Sequence, residues 1–393
     1  MRAVLLSGPL PGTAQTSIGG VAVHTRMLAE ELARTGRAVR VLDDSHVAGA
    51  TPPSVDGVRG AAAARAVALA ARRPLTTASV AVRSVASRDR AKLGLPLRTA
   101  VVRSLLVASA AERAAQDSVL HIQQADYRPL YADWAGLAMP RLVTVHGLGT
   151  LRDPAAPPAL AQTVAANLAH ARCVVVPSHA VGAEVRDLGV AEDLLRVVPN
   201  GVDLDVFRPR DRTGCRHELG IDPDAPLVVY LGRLTAAKGV GDLLAAWPRV
   251  TRAVPAATLA LVGPALEAFD TAFARGVRVE GAVETADAAR WLGASDVAVV
   301  PSHYEAFGLT ALEAMASARP VVATAVGGLP EVVPDGAGAL VDPHDPDALA
   351  EALIGMVRDS DAARAAGEAG ARAARAYSWE AVARAYGSLY DAL

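Results

Sequence analysis

A chain of 393 residues has room for two domains of ordinary size. Its composition is globular, 52% hydrophobic and 20% charged, and with only 4% aromatic residues and an apolar content that is mostly Ala and Val its cores should be built from aliphatic side chains. A net charge of -2 gives no general case for nucleic acid or another polyanion, and no apolar run approaches the ~20 residues of a membrane helix. The two cysteines, Cys173 and Cys215, stand far apart with no CxxC spacing, so we read them as reduced and structural.

In chain order, strand-like runs alternate with helix-like ones, the pattern of parallel sheets covered on both faces. Ala3–Ser7 is too short for a signal-peptide core and is predicted to be the first strand, which points to a cytoplasmic protein. Helix Val21–Thr35 follows, with Gly36 at its C-cap position. Further strands are expected at Val39–Leu42, Val119–Ile122, Leu142–His146, Cys173–Pro177 and Arg196–Val198, with a helix over His179–Asp187. Residues 57–115 break the rhythm, with eleven Arg or Lys against two acids and no aromatic residue. Either two solvated Ala/Arg-rich helices or a basic surface for peripheral membrane contact fits; the scarcity of bulky interfacial residues, with no Trp or Phe, favours the first.

The charged, proline-containing stretch Phe207–Arg212 reads as a linker, so a domain boundary is expected near residue 208. Beyond it, strands are predicted at Leu227–Gly232, Thr258–Val262, Val277–Glu280, Val297–Pro301, Val321–Ala323 and Ala339–Val341. Helices are predicted at Gly241–Arg252, Thr285–Gly293, Leu309–Ala318 and Pro346–Arg358. The tail 377–393 is helical and carries Trp379, Tyr386 and Tyr390, so it should pack on something. The whole is an α/β chain of two Rossmann-like domains expected to face each other across a cleft, 1–208 (with 377–393) and 209–376.

Pro301 to Glu331 is the stretch richest in chemistry. Glu305 and Glu313 are separated by seven residues, with Phe307-Gly308-Leu309 turning the chain from strand to helix between them. A loop at the carboxyl end of a parallel strand, opening onto a helix N-terminus, suits an anion, and a carboxylate suits the vicinal diol of a ribose or hexose. The same pair could be a glycosidase-like acid and base if both faced one glycosidic bond. Arg233 and Lys238 follow another strand end and could neutralise a diphosphate without a metal, although two surface cations are commonplace. His146, followed by Gly147, reads on its own more readily as a satisfied, partly buried side chain than as a functional group. Gly19-Gly20 let a phosphate or sugar approach the backbone, a weak signal alone. The loop Gly8–Gly12 does not spell G-x-G-x-x-G, which removes the main support for a dinucleotide. No Asp-x-Asp motif is placed to hold Mg²⁺, so no metal and no cofactor is expected.

Together these signals resemble one family, the retaining glycosyltransferases of group 4 with the GT-B fold and the E-x7-E signature. The resemblance runs over nearly the whole chain. It is carried by Gly19-Gly20-Val21, His146-Gly147, Pro199–Asp203, Gly232-Arg233-Leu234 with Lys238-Gly239, Glu305–Leu309 with Glu313–Met315, and Pro320–Ala323 with Gly327-Gly328 and Glu331. It implies a nucleotide diphosphate-sugar donor, UDP-linked by default, and transfer of a hexose or N-acetylhexosamine to a hydroxyl. Arg233 and Lys238 would hold the diphosphate, helped by amides at Gly308, Leu309 and Thr310 beside Phe307. Glu305 would bind the transferred sugar, Glu313 the ribose, and the backbone near Arg278 would frame the base. Gly20 and His146 would come from the first domain, and the last helix would cross back to it. Ala318 departs from the pattern by standing where glycine commonly closes the E-x7-E helix, and Pro264-Ala265-Leu266 departs on the base side. The acceptor stays open between a natural-product or aminocyclitol core and a cell-envelope glycan or lipid. A sugar-nucleotide epimerase and a non-catalytic sugar-nucleotide binder are the rival readings.

Overall fold

The computed structural model describes residues 1–8, 20–43, 56–58, 74–86, 104–105, 107–108, 117–124, 133, 136–152, 156, 158–269 and 275–393. Gly19, the loop residues 9–12 and most of the basic stretch 57–115 lie outside the described residues. The chain divides into two compact units, Met1–Pro199 with Val382–Leu393, and Asn200–Ala381.

The first unit holds β1 (Val4–Gly8), β2 (Val39–Asp43), β3 (Asp56–Val58), β4 (Val119–Ile122), β5 (Arg141–Thr144), β6 (Cys173–Val176) and β7 (Leu195–Val197). Its described helices include α1 (Gly20–Arg34), α2 (Pro74–Ala86), α3 (Leu160–Ala169) and α4 (His179–Asp187). The strands form one sheet in the order β3-β2-β1-β4-β5-β6-β7, with every pairing parallel. β4 and β6 are buried at every residue, as a parallel sheet covered on both faces demands. Three-residue β3 lies at the sheet edge and was not expected from its sequence, Asp-Gly-Val, which carries too little β-propensity to register.

The second unit holds α5 (Arg212–Leu219), β8 (Leu227–Leu231), α6 (Val240–Ala253), β9 (Thr258–Val262), β10 (Val277–Glu280), α7 (Thr285–Ala294), β11 (Val297–Val300), α8 (Leu309–Ala316), β12 (Val321–Thr324), α9 (Leu329–Val332), β13 (Gly338–Val341), α10 (Pro346–Arg358) and α11 (Ser360–Ala374). The last helix, α12 (Trp379–Ala392), begins in this unit, and its residues from Val382 onward belong to the first. The sheet order is β10-β9-β8-β11-β12-β13, again all parallel.

Alternation along β8 supplies both faces of this sheet. Leu227 and Val229 point into a core with Val300, Leu312, Met315 and Leu329. Val228 and Tyr230 point into a second core with Leu243, Trp247, Val299 and Leu353. Each such aliphatic side chain contributes roughly 1.5–3 kcal/mol on burial. Trp247 is fully buried, and its indole N–H donates to the Arg275 carbonyl at 2.9 Å, so burial leaves no orphaned donor. In both sheets the strand order reverses beside the first strand of the unit, at β1/β4 and at β8/β11. In open α/β sheets that is where ligands bind, outside the carboxyl ends of the strands.

The expected linker at 207–212 is a correction. Phe207 is in the core of the second unit, Asp211 caps α5 by accepting from the amides of Thr213 and Gly214, and Arg212 pairs with Asp296. The charges that made this stretch look solvated are a cap and an ion pair. The division falls earlier, between Pro199 and Asn200. Tyr377 and Trp379 also belong to the second unit: Phe307 and Tyr377 meet edge to face, and the Trp379 ring covers Gly201. Cys173 and Cys215 are free, buried thiols whose pKa values burial pushes up.

Candidate active site

The carboxyl ends of β8 and β11 bring together most of the residues singled out in the sequence. β8 runs out at Leu231 and delivers Arg233; a 3₁₀ turn, Ala236–Lys238, then presents Lys238. β11 runs out at Val300 and delivers Glu305. The Lys238 ammonium donates to Glu305 Oε2 at 2.6 Å, and the Ser302 hydroxyl donates to the same oxygen at 3.3 Å. Two glycines let these loops close on each other. Gly239 has φ +69, and a Cβ there would lie 1.7 Å from the Pro301 carbonyl oxygen; Gly327 has φ +53, and a Cβ there would lie 1.8 Å from the Glu305 carbonyl oxygen. Any other residue at either position would push the Glu305 loop away.

Gly308, at φ +109, is the N-cap of α8 and offers no capping side chain. The amides of Gly308, Leu309 and Thr310 donate to no described protein group, which leaves an anion-accepting helix end at the switch point. The Thr310 side chain is spent on the Leu231 carbonyl at 3.2 Å, tying α8 to the end of β8. Tyr230 ties β8 to its own loop by donating to the Arg233 carbonyl at 2.6 Å; burial and the nearby Glu305 charge hold its phenol protonated well above the usual range.

Glu313 sits a turn and a half into α8. Its carboxyl group has no hydrogen-bond or ionic partner among the described residues, and burial pushes its pKa up to about 8. The residue is partly buried and its oxygens are not among the buried atoms left without a partner, so the carboxyl meets solvent in a setting that disfavours its charge. A ligand that supplied two hydroxyl donors would relieve it.

In the first unit, His146 lies two residues past the end of β5, which stops at Thr144 and not at His146 as expected; Val145 keeps one further bond to the Val175 carbonyl. A His146 ring nitrogen lies 2.6 Å from Gln123 Oε1, and the ring stands edge-on to His24 of α1, 4.6 Å between centroids. Beneath them His121 bridges Tyr390 (2.7 Å) and Thr144 (2.8 Å), while Tyr386 reaches Thr144 at 3.0 Å. Burial first, then the neighbouring histidines, keep His24 and His121 neutral well below the usual imidazole range. Tyr386 and Tyr390 of the tail thus pack on His121 of β4, and Gly20 opens α1 at an exposed position.

Residues 18–206 match the model of Glycosyltransferase Family 4, and residues 225–359 match that of Glycosyl transferases group 1. The chain is built of two glycosyltransferase domains. It is 41% identical over 199 residues to a D-inositol 3-phosphate glycosyltransferase of Segniliparus rotundus, covering 48% of this chain and 44% of that protein. It is 38% identical over 283 residues to one of Xylanimonas cellulosilytica, covering 64% and 66%. The chain thus spans about half to two thirds of the length of these relatives. Among solved structures, sucrose-phosphate synthase from Thermosynechococcus elongatus superposes with a TM-score of 0.76 at 27% identity, covering 100% of this chain and 98% of that one. Anabaena HepE, in complex with UDP and glucose, superposes at 0.71 and 19% over 100% of each chain, which speaks for the fold alone. The two Rossmann-like units are those of the GT-B glycosyltransferases.

Two further expected residues of the second unit have their side chains engaged within the protein, which leaves their backbone as the part open to a ligand. Arg278 lies on edge strand β10, two strands from the switch point, and its guanidinium is committed to Glu280 and to the face of Trp291, 5.3 Å from the ring centroid. The Phe307 ring is 3% exposed and belongs to the core, so only the backbone is open to a ligand at that position. Sequence reasoning missed His24, His121 and Gln123 because their spacing carries no periodic signal. No described helix is long and apolar enough to cross a membrane.

Proposed function

We propose that this chain transfers a hexose or N-acetylhexosamine from a nucleotide diphosphate-sugar, UDP-linked by first choice, to a hydroxyl of a small-molecule acceptor, with the anomeric configuration retained. The observation that carries this reading is the polar array at the β8/β11 switch point: Arg233, the Lys238–Glu305 pair, the N-terminus of α8 and Glu313, which has no partner among the described residues.

In this reading Arg233, Lys238 and the amides of Gly308, Leu309 and Thr310 receive the diphosphate. The charge that grows on it as the glycosidic bond breaks is where fixed donors accelerate most. Glu305, held by Lys238 and Ser302, accepts hydroxyls of the departing sugar. Glu313 takes the ribose diol. The diphosphate oxygen itself accepts the proton of the attacking hydroxyl on the same face, so no further acid or base is required. Gly20 and His146 of the first unit are assigned to the sugar and acceptor side. The names of the curated relatives make a cyclitol phosphate the first acceptor to try, ahead of cell-envelope glycans and lipids.

The test is incubation of the purified chain with UDP-, GDP- and ADP-sugars, with and without inositol 3-phosphate and other cyclitols. Released nucleoside diphosphate and product mass are followed, and the anomeric configuration is read by NMR. The expected result is acceptor-dependent release with the donor's configuration kept. An isomerised donor would point to an epimerase. Tight donor binding without turnover with any acceptor would leave a binding protein.

A further inference from the structure

We propose that the second unit binds one divalent transition-metal ion of the Zn²⁺ class through Asp242, His303 and His344. These residues come from three separate segments. Asp242 stands in the first turn of α6, four residues beyond Lys238; His303 stands in the loop after β11, two residues before Glu305; His344 stands in the turn between β13 and α10. Asp242 Oδ2 lies 2.8 Å from His303 Nε2 and 3.7 Å from His344 Nδ1, and the three ligand atoms all lie within 4.8 Å of one another. Ligands on a tetrahedral zinc at ~2.0–2.1 Å are separated by about 3.4 Å, so an ion fits among these atoms after shifts of up to about an ångström at rotatable side chains.

The donor set narrows the ion. Two imidazoles and one carboxylate are borderline ligands that favour Zn²⁺ and its first-row neighbours over Mg²⁺ or Ca²⁺, which require oxygen. The side chains of Asp242 and His303 are about a quarter exposed and that of His344 is 67% exposed, so a fourth position faces solvent and would take water. The backbone adds an independent sign. His344 has φ +61, and among the described residues Ala318 alone joins it as a non-glycine with positive φ. Here the unfavourable conformation turns the imidazole toward Asp242, its ring 3.9 Å from that of His303.

Bound there, the ion would join α6, the β11 loop and the β13 turn, and the two loops that carry Lys238 and Glu305 would be held at one point. No step of the transfer is assigned to it, and the proposal stands or falls apart from the donor reading.

The test uses the full chain, freed of affinity tag and stripped with EDTA, titrated with Co²⁺ and followed by visible absorption, then by displacement with Zn²⁺. One equivalent should bind with the intense absorption of a four-coordinate site, and the melting temperature should rise with ion concentration. H344N keeps a residue that tolerates positive φ, and both it and H303Q should bind at least about tenfold more weakly; H170A, a surface histidine of the first unit, should bind as the parent does. The proposal is overturned if binding is well below one equivalent. It is also overturned if folded H344N and H303Q bind as the parent does, or if Mg²⁺ at equal concentration displaces Co²⁺.

Discussion

The two ends of the second sheet treat polar groups in opposite ways. At the amino end, Arg216 is completely buried, and its guanidinium is saturated. It donates to the carbonyls of Ala294, Asp222, Pro223 and Ala225 at 2.8–3.1 Å and to Asp296 at 2.7 Å. Asp296 also accepts from Arg212 and from the Leu227 amide that starts β8. At the carboxyl end, Glu313 has no partner and the first amides of α8 no acceptor among the described residues. Around Arg216 and Asp296 the hydrogen bonds close internally and hold the strand starts together; at the carboxyl end the helix amides and Glu313 make no such closure among the described residues. Stability and recognition are thus separated along the length of the strands.

That contrast can be broken from either side. The largest effect is expected at the closed end. Arg216→Ala removes a buried donor shared by five acceptors, of which Asp296 and the Pro223 carbonyl keep other donors, and should cost about 3–5 kcal/mol in denaturant unfolding, while activity per folded molecule stays near that of the parent. A loss of kcat with unchanged stability would erase the division of labour. At the open end, Arg233→Ala or Lys238→Ala should lower kcat by ~10²–10³-fold, about 2.7–4 kcal/mol, with little change in melting temperature. Near-normal kcat in both variants would remove the electrostatic role.

A smaller effect sharpens the reading of Glu313. Its folded pKa of about 8 lies above the ordinary 4.5, so the native state keeps a proton that the unfolded chain loses between these values. The stabilising contribution is full below pH 4.5, declines as pH rises and is gone above about 8. Glu313→Gln should therefore gain on the parent by about 2 kcal/mol between pH 5 and pH 9, after allowance for partial solvation. An equal difference in thermal unfolding at both pH values would mean that the carboxyl does not titrate as described.

The smallest effect lies at the end of α8. Ala318 N–H bonds the Met315 carbonyl and Arg319 N–H the Ala314 carbonyl, a Schellman closure with alanine, at φ +55, where glycine is favoured. Ala318→Gly should raise stability by roughly 0.5–1 kcal/mol, read as a shifted denaturant midpoint at constant slope. No gain would show that packing already compensates the strained cap.

Much of the fold was legible because Val-rich runs such as Val297–Val300 are bounded by Gly and Pro and separated by helices of matching length. The chief loops of the site were legible as loops at strand ends, and it was the resemblance to the group 4 family that set Arg233, Lys238 and Glu305 on one donor. What escaped depends on tertiary proximity. Asp242, His303 and His344 lie far apart along the chain and share no spacing, and His24 meets His146 only through the packing of α1. Phe207 was misread because a charged flank hides a core anchor, and the burial of Glu313 is a property of its surroundings that a position on a helix does not reveal.

Gly327 has a practical consequence for anyone wishing to alter donor preference. Its φ and the 1.8 Å approach of any added carbon to the Glu305 carbonyl close that position to every other amino acid. A randomised library spread evenly over the β12–α9 turn would spend its diversity at Gly327 on chains that displace Glu305. Selection there would report loss of the loop's shape, whatever sugar was offered. Variation is better placed where the backbone leaves space, and Gly327 kept as the fixed point against which the rest of the turn is searched.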